Sequence, residues 1–249
     1  MIHLRTRAEI DAIEQAGRIL AAFFVELPAH VRPGMSTAEL DEFAEEFIRS
    51  HPGAEPAFKG LYGFPASACV SVNDEVVHGI PSPRRFLREG DIVSVDVGVR
   101  LDGWYADAAR TLPVGTIDAE AQRLLEVTKL ALERGIEKAR PGNRLGDIGH
   151  AIYETATAAG YSVVRELVGH GIGREPHEEP QVPNFGRPGR GLRLLPGMVL
   201  AIEPMINEGS SEVRTLKDRW TVATVDGRRS AHFEHTVAIV EDGVRVLTR

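Results

Sequence analysis

The chain repeats itself at a nearly fixed distance, and no other feature constrains its fold as strongly. Arg32-Pro33-Gly34 precedes a helical pattern, and 108 residues later Arg140-Pro141-Gly142 precedes another. Gly90-Asp91-Ile92-Val93-Ser94-Val95-Asp96 aligns with Gly197-Met198-Val199-Leu200-Ala201-Ile202-Glu203 at an offset of 107, and each stretch ends in a carboxylate. His78-Gly79-Ile80 is echoed by His170-Gly171-Ile172 at an offset of 92. Three short matches in the same order predict two similar α/β halves, roughly 30–115 and 138–240, whose shared face is a natural place for a site. No linker or low-complexity segment separates them, so the expectation is a single catalytic domain over 1–249.

Periodicity supplies the elements. Ile10, Ile13, Leu20, Phe24 and Leu27 fall near a helical period and predict an opening helix over Glu9 to Leu27. Ser36 or Thr37 caps a second, running to about Arg49 with Leu40, Phe43, Ala44 and Phe47 inward, and a third spans about Leu145 to Ala159. Val93, Val95, Val97 and Val99 alternate with Ser94, Asp96 and Gly98, so Asp96 lies on the strand face opposite the valines. The Asp102-Gly103 turn signal folds the chain back and brings Asp107 to within a residue or two of Asp96.

Two carboxylates on one inward face repel and take up protons unless a positive charge lies between them. Either aspartate alone reads as a turn or surface residue; the second half makes that reading hard to keep. Glu203 ends the apolar strand Met198 to Ile202, where an unpaired charge is costly to bury. Glu234 sits within a strand, Ala231 to Val240, entered by the Asp226-Gly227 hairpin signal, and His170 is flanked by two glycines. Asp96, Asp107, His170, Glu203 and Glu234 thus offer four carboxylates and one imidazole. Four negative charges neutralise two divalent cations, as in a two-metal hydrolytic centre with a bridging hydroxide and a metal separation of about 3.5–4 Å. Oxygen-rich ligation with one nitrogen suits Mn, Fe, Co or Zn alike.

Composition narrows the alternatives. The single cysteine, Cys69, excludes an intramolecular disulfide and a thiolate-rich zinc site, and it suits a reducing compartment. No run of about 18 apolar residues exists and the first 18 residues alternate charges with Ile and Leu, so we expect a cytoplasmic protein, neither secreted nor membrane-spanning. A net charge of −7, with only short basic patches such as Arg84-Arg85 and Arg228-Arg229, gives no footprint for nucleic acid.

The segment Val168-Gly169-His170-Gly171-Ile172-Gly173-Arg174-Glu175-Pro176-His177-Glu178-Glu179-Pro180 resembles the signature around the metal-binding histidine of type I methionine aminopeptidases. The resemblance covers essentially the whole chain, and the five residues above occupy the family's ligand positions in its order. It implies an α+β pita-bread fold, two pseudo-symmetric halves around a curved, largely antiparallel sheet. It also implies removal of the N-terminal methionine from nascent polypeptides with a small second residue, through a hydroxide on a dinuclear metal centre. By the same resemblance Glu203 is also the proton shuttle, and His78 and His177 contact the scissile peptide. Phe58, Leu61, Phe64, Cys69, Pro176 and Trp220 match the methionine pocket, with Phe58, Leu61 and Pro176 departing from better-known members. Asn73 and Ser230 resemble residues around a monovalent-cation site, and the remaining implications are a monomer with a transient ribosome contact. Val168 and Pro183-Asn184-Phe185 depart from the signature without touching a ligand. Proline-directed peptidases share the five ligand types, but only 95 residues precede Asp96, too few for their additional N-terminal domain. The 31-residue interval from Glu203 to Glu234 disfavours the type II enzyme. A non-catalytic binding module would have lost ligands, and none is lost.

Overall fold

Helix α1 (Arg7–His30) starts where Thr6 and Glu9 exchange hydrogen bonds in a capping box, and α2 (Thr37–Arg49) starts the same way on Ser36 and Glu39. The computed structural model describes residues 2–249. Helix α1 runs past Pro28, three residues beyond the expected end. Proline removes the N–H that would bond to the Phe24 carbonyl, and the Arg110 guanidinium donates to that oxygen instead at 3.3 Å. Helices α3 (Ala119–Lys138) and α4 (Leu145–Ala158) complete the helical set; α3 was not expected.

The strands are β1 (Ala54–Pro56), β2 (Ala68–Val72), β3 (Glu75–Val77), β4 (Ile92–Leu101), β5 (Trp104–Pro113), β6 (Ser162–Val163), β7 (Gly169–Gly171) and β8 (Glu178–Val182). They continue as β9 (Val199–Ile202), β10 (Met205–Asn207), β11 (Val213–Thr215), β12 (Val222–Thr224), β13 (Ser230–His232), β14 (Glu234–Val240) and β15 (Gly243–Val246). Nine form a curled antiparallel sheet in the order β1-β4-β5-β14-β9-β7-β8, with β2 also on β4 and β15 also on β14. The β5–β14 seam joins strands from the two halves, through Glu234↔Ala109 and His235↔Ala108. The fold is the α+β pita-bread fold. Helix α1 packs on β4 and β5, where Val93, Val95, Val97 and Val99 meet Ile13, Leu20 and Phe24 in one core, while α3 and α4 share the second core with Leu200, Ile202 and Val237.

Backbone hydrogen bonds recur between the halves at the offsets seen in the sequence. Gly34 N–H donates to Leu87 O and Leu87 N–H to Met35 O; 107 or 108 residues on, Gly142 donates to Leu194 O and Leu194 to Asn143 O. The bridge Ser36↔Phe86 is matched by Arg144↔Arg193. Helix α3 therefore stands where α1 stands, and its last residue, Lys138, lies 108 after His30. The histidine echo pairs differently. His170 lies across from Ala201, and the matching Ser94 lies across from Ser71, so Ser71 is the counterpart of His170 at an offset of 99. At that same offset the counterpart of His177 is His78.

Two local expectations fail for tertiary reasons. The strand expected from Ala231 to Val240 breaks at Phe233, because β13 pairs with β10 while β14 pairs with β5 and β9. Asp226-Gly227 is a turn, with Asp226 accepting from the amides of Ser210 and Arg228, but it connects strands of different sheets and closes no hairpin.

Candidate active site

Register alone gathers the site. Cys69, Asp96, Ala109 and Glu234 form one cross-strand row through the pairs Cys69↔Asp96, Asp96↔Ala109 and Glu234↔Ala109. One step beyond His235↔Ile202, Glu203 extends that row beside Glu234. Asp107 lies two residues from Ala109 along β5, across from Gly98, and His170 faces Ala201, two residues before Glu203. Side chains two apart on a strand, and those directly opposite, share a face. All five polar candidates therefore project from the face opposite the valines.

That face opens into a cleft of 540 Å³ lined by Asp96, Asp107, His170, Glu203 and Glu234, with His78 and His177. One donor atom each from Asp107, His170 and Glu234 lie within 4.8 Å of one another. His170 Nε2 is 3.4 Å from Glu203 Oε1. The ring of His177 meets that of His170 edge-on, centroids 4.5 Å apart, and Tyr62 stacks over His177 at 5.8 Å. His78 reaches the cleft from a left-handed backbone, φ 59°, a conformation costly for a residue other than glycine. Gly79 beside it has no room for a side chain, since a Cβ there would sit 2.2 Å from Val70 O.

Like charges in a dry site push protons onto the carboxylates. Burial, then the charges of neighbouring carboxylates, raises Asp96, Glu203 and Glu234 well above their ordinary values, and burial raises Asp107 to about 7. Burial holds His170 down to about 4, hence neutral. Its Nδ1 lies 3.0 Å from the Gly171 carbonyl, which calls for the proton there and leaves the Nε2 lone pair to the cleft. Asp96 Oδ1, Asp107 Oδ1 and Glu234 Oε1 are buried without a hydrogen-bond partner, and among the described residues none of the four carboxylates pairs with Lys or Arg. Unpaired buried carboxylate oxygens converging on a neutral imidazole lack only a cation. The donor set fits divalent metal.

The apolar end of the cleft carries Phe58, Leu61, Phe64, Cys69 and Trp220; the Phe64 and Trp220 rings meet edge-on at 5.2 Å. Pro176 is buried, in the bend just before His177, and is not among the residues that line the cleft. Asn73 and Ser230 do meet, the Ser230 amide donating to the Asn73 carbonyl at 2.9 Å. The Asn73 side chain is engaged by Asp91 and the Ile92 amide.

Three residues escaped the sequence reading. Tyr62 lines the cleft beside His177. Gly98 lies across from Asp107, and a Cβ there would meet Phe58 Cε1 and Ala57 Cβ at 2.8 Å, so the glycine makes room for the Phe58 ring. His232, fully buried, has Nε2 3.7 Å from Glu203 Oε2. The alternation His232-Phe233-Glu234 was signal enough to place His232 on the Glu234 face.

Comparison with known proteins agrees with this geometry. The metallopeptidase family M24 model matches residues 11–241. The methionine aminopeptidase of Clostridium perfringens is 56% identical, covering 100% of this chain and 99% of its own length. Methionine aminopeptidase 1 of Bacillus subtilis is 53% identical over the whole of both chains. Among solved structures, the methionine aminopeptidase of Rickettsia prowazekii superposes with a TM-score of 0.98 at 44% identity over 100% of each chain. The Pyrococcus furiosus prolidase shares the fold, with a TM-score of 0.80 at 24% identity over 99% of this chain and 65% of that one. With the family model spanning nearly its whole length and such relatives matching end to end, the chain belongs to metallopeptidase family M24, among the methionine aminopeptidases.

Proposed function

We propose that this protein is a methionyl aminopeptidase that hydrolyses the N-terminal methionine from nascent polypeptides with a small second residue, using two divalent metal ions. The observation that carries the reading is the convergence of four carboxylates, buried at Asp107 and Glu234 and half-buried at Asp96 and Glu203, without a Lys or Arg partner among the described residues, on one neutral imidazole at the end of an apolar cleft.

Asp96, Asp107, His170, Glu203 and Glu234 would hold the ions, whose native identity among Mn, Fe, Co and Zn the donor types do not select. When bound, such ions polarise the scissile carbonyl and make the hydrolytic water acidic. Glu203, at the edge of the cleft beside His170, is placed to take a proton from the hydrolytic water and deliver it to the leaving amine. His78 and His177, on opposite sides of the pseudo-twofold, with desolvation lowering the pKa of both rings, hydrogen-bond the peptide and orient its carbonyl. The methionine thioether enters the ring of Phe58, Leu61, Phe64, Cys69 and Trp220, which leaves no polar group unpaired around it. Asn73 and Ser230 mark a place for a monovalent cation, supported by their backbone contact. A cytoplasmic monomer making a transient ribosome contact completes the proposal; the lone, buried Cys69 supports the reducing compartment.

Metal removal tests it. Chelation should abolish turnover and added Co(II) or Mn(II) should restore it, with two ions bound per chain by calorimetry. Asp107→Asn should lose at least one ion. Turnover that survives chelation, or wild-type stoichiometry in Asp107→Asn, would refute the assignment.

A further inference from the structure

His232 is 1% exposed, and neither ring nitrogen has a hydrogen-bond partner among the described residues. A polar ring buried in that way destabilises the fold, so its presence calls for a role outside folding. The ring is not loosely held. The His232 amide donates to Thr111 Oγ1 at 2.8 Å, Thr111 Oγ1 donates back to the His232 carbonyl at 2.9 Å, and Ser94 Oγ lies 2.8 Å from the same hydroxyl. This clamp fixes the strand to β5 and aims the imidazole at Glu203. His232 Nε2 stands 3.7 Å from Glu203 Oε2, while Glu203 Oε1 faces His170 Nε2 at 3.4 Å. The Glu203 carboxylate thus lies between two imidazoles, only one of which, His170, lines the cleft.

The pseudo-symmetry points the same way. Asp96 and Glu203 are counterparts, and Ala109 and Glu234, directly beside them in the cross-strand row, are counterparts too. Asp107 lies two residues before Ala109, and His232 two residues before Glu234. His232 therefore stands to Glu203 as Asp107 stands to Asp96, with a hydrogen-bond donor where the first half has a ligating carboxylate.

We infer that His232 is a positioning residue for the hydrolysis, its Nε2–H closing on Glu203 Oε2 so that Oε1 is held toward the cleft. This rests on the reading of Glu203 as proton carrier. A carboxylate anchored through one oxygen keeps the other at a fixed distance from the reacting atoms, and outer-shell partners of this kind are worth about tenfold to a hundredfold in activity. The side chain acts on the reaction only through Glu203.

The test uses the full chain loaded with Mn(II). His232→Leu removes the donor at similar volume, His232→Gln retains an N–H, and each is made alone and together with Glu203→Gln. His232→Leu should lower kcat for Met-Ala-Ser by about tenfold to a hundredfold, with KM within about twofold of wild type and Mn(II) stoichiometry unchanged by calorimetry. The Tm of the metal-free variant should be no lower than that of wild type, because a buried unpaired polar group has been removed. His232→Gln should recover most of kcat, and His232→Leu should add no further loss in the Glu203→Gln background. A His232→Leu enzyme with wild-type kcat, beside a Glu203→Gln enzyme that has lost turnover, would overturn the inference and leave the Glu203 reading standing. Loss of kcat in step with Tm, without recovery in His232→Gln, would make His232 merely structural. Wild-type turnover in Glu203→Gln would instead overturn the Glu203 reading, and this inference with it. Should His232→Leu not fold, His232→Met supplies the same contrast.

Discussion

The two halves share a backbone plan but divide the chemistry unequally. The first half presents Asp96 and Asp107 from a regular hairpin of two ten-residue strands joined at Asp102-Gly103. The second half reaches the equivalent place with short strands, β9 of four residues and a second arm broken at Phe233, and lines it with Glu203, Glu234 and His170, with His232 buried behind Glu203. Duplication fixes where side chains can stand around the pseudo-twofold, and divergence then decides what each does. On the proposed reading, the regular half supplies ligands that need only rigidity. On the same reading the irregular half, whose carboxylate lies between two imidazoles, supplies the group that must also exchange a proton.

The sharpest way to break that comparison is to neutralise the two counterparts. Glu203→Gln should lower kcat by about a hundredfold to ten-thousandfold with folding retained, the range for loss of a general acid–base group. Asp96→Asn should lose activity mainly by weakening metal binding, so that added Mn(II) restores part of it. Equal, metal-rescuable losses in both variants would mean that the halves contribute alike and that Glu203 carries no proton.

A second effect follows from the charge held on this face. The four carboxyl groups have folded pKa values above their ordinary ones. For such groups the stabilising contribution is full at pH below the unfolded value and is lost as pH rises through the folded value. His170, His232 and His235 are depressed to about 4, 3 and 3 and work in the opposite sense, costing stability as pH falls below about 6.5. Above about pH 7 the histidines no longer act and the carboxylates still do, joined near pH 9 by the buried Cys69 thiol, whose pKa burial also raises, so the Tm of metal-free protein should fall from pH 7 to pH 9, and saturating Mn(II) should flatten the profile up to about pH 8. A metal-free Tm that stays level across that window would show that the carboxylates are not electrostatically frustrated.

Much of this was legible in the sequence because it depends on local periodicity. The alternating valines put Asp96 on its face, Asp102-Gly103 set the hairpin register, and the recurrence of Arg-Pro-Gly announced the second half. Helix α3 was legible too, had the 108-residue offset been applied to α1. What escaped depends on distant partners. Nothing local tells that β13 leaves the sheet for β10, or that Pro28 continues a helix because Arg110 satisfies Phe24 O. The histidine echo misled because three-residue matches carry no register; only the pairing of His170 with Ala201 and of Ser71 with Ser94 shows that His78 answers to His177. Gly98 matters through the ring of Phe58 forty positions earlier.

That contact gives the smallest expected effect. Gly98→Ala places a methyl 2.8 Å from Phe58 Cε1, so the ring must shift. Overpacking of this kind costs about 1–3 kcal/mol. Because Phe58 lines the cleft, KM for Met-Ala-Ser should rise while kcat changes little, and Phe58→Leu in the same chain should recover part of the lost Tm, the contact with Ala57 remaining. An unchanged KM would place Phe58 in the core and outside the methionine pocket.

The most direct test of the account compares kcat/KM for Met-Ala-Ser, Met-Leu-Ser and Ala-Pro-Ser on one Mn(II)-loaded preparation. A cleft with an apolar end for methionine and the metal ligands at the next carbonyl predicts that Met-Ala-Ser is fastest. Met-Leu-Ser should be slower by about a hundredfold, since misplacement of the carbonyl alone can cost that much. Faster cleavage of Ala-Pro-Ser would contradict it and make the protein a proline-directed peptidase built on the same five residues.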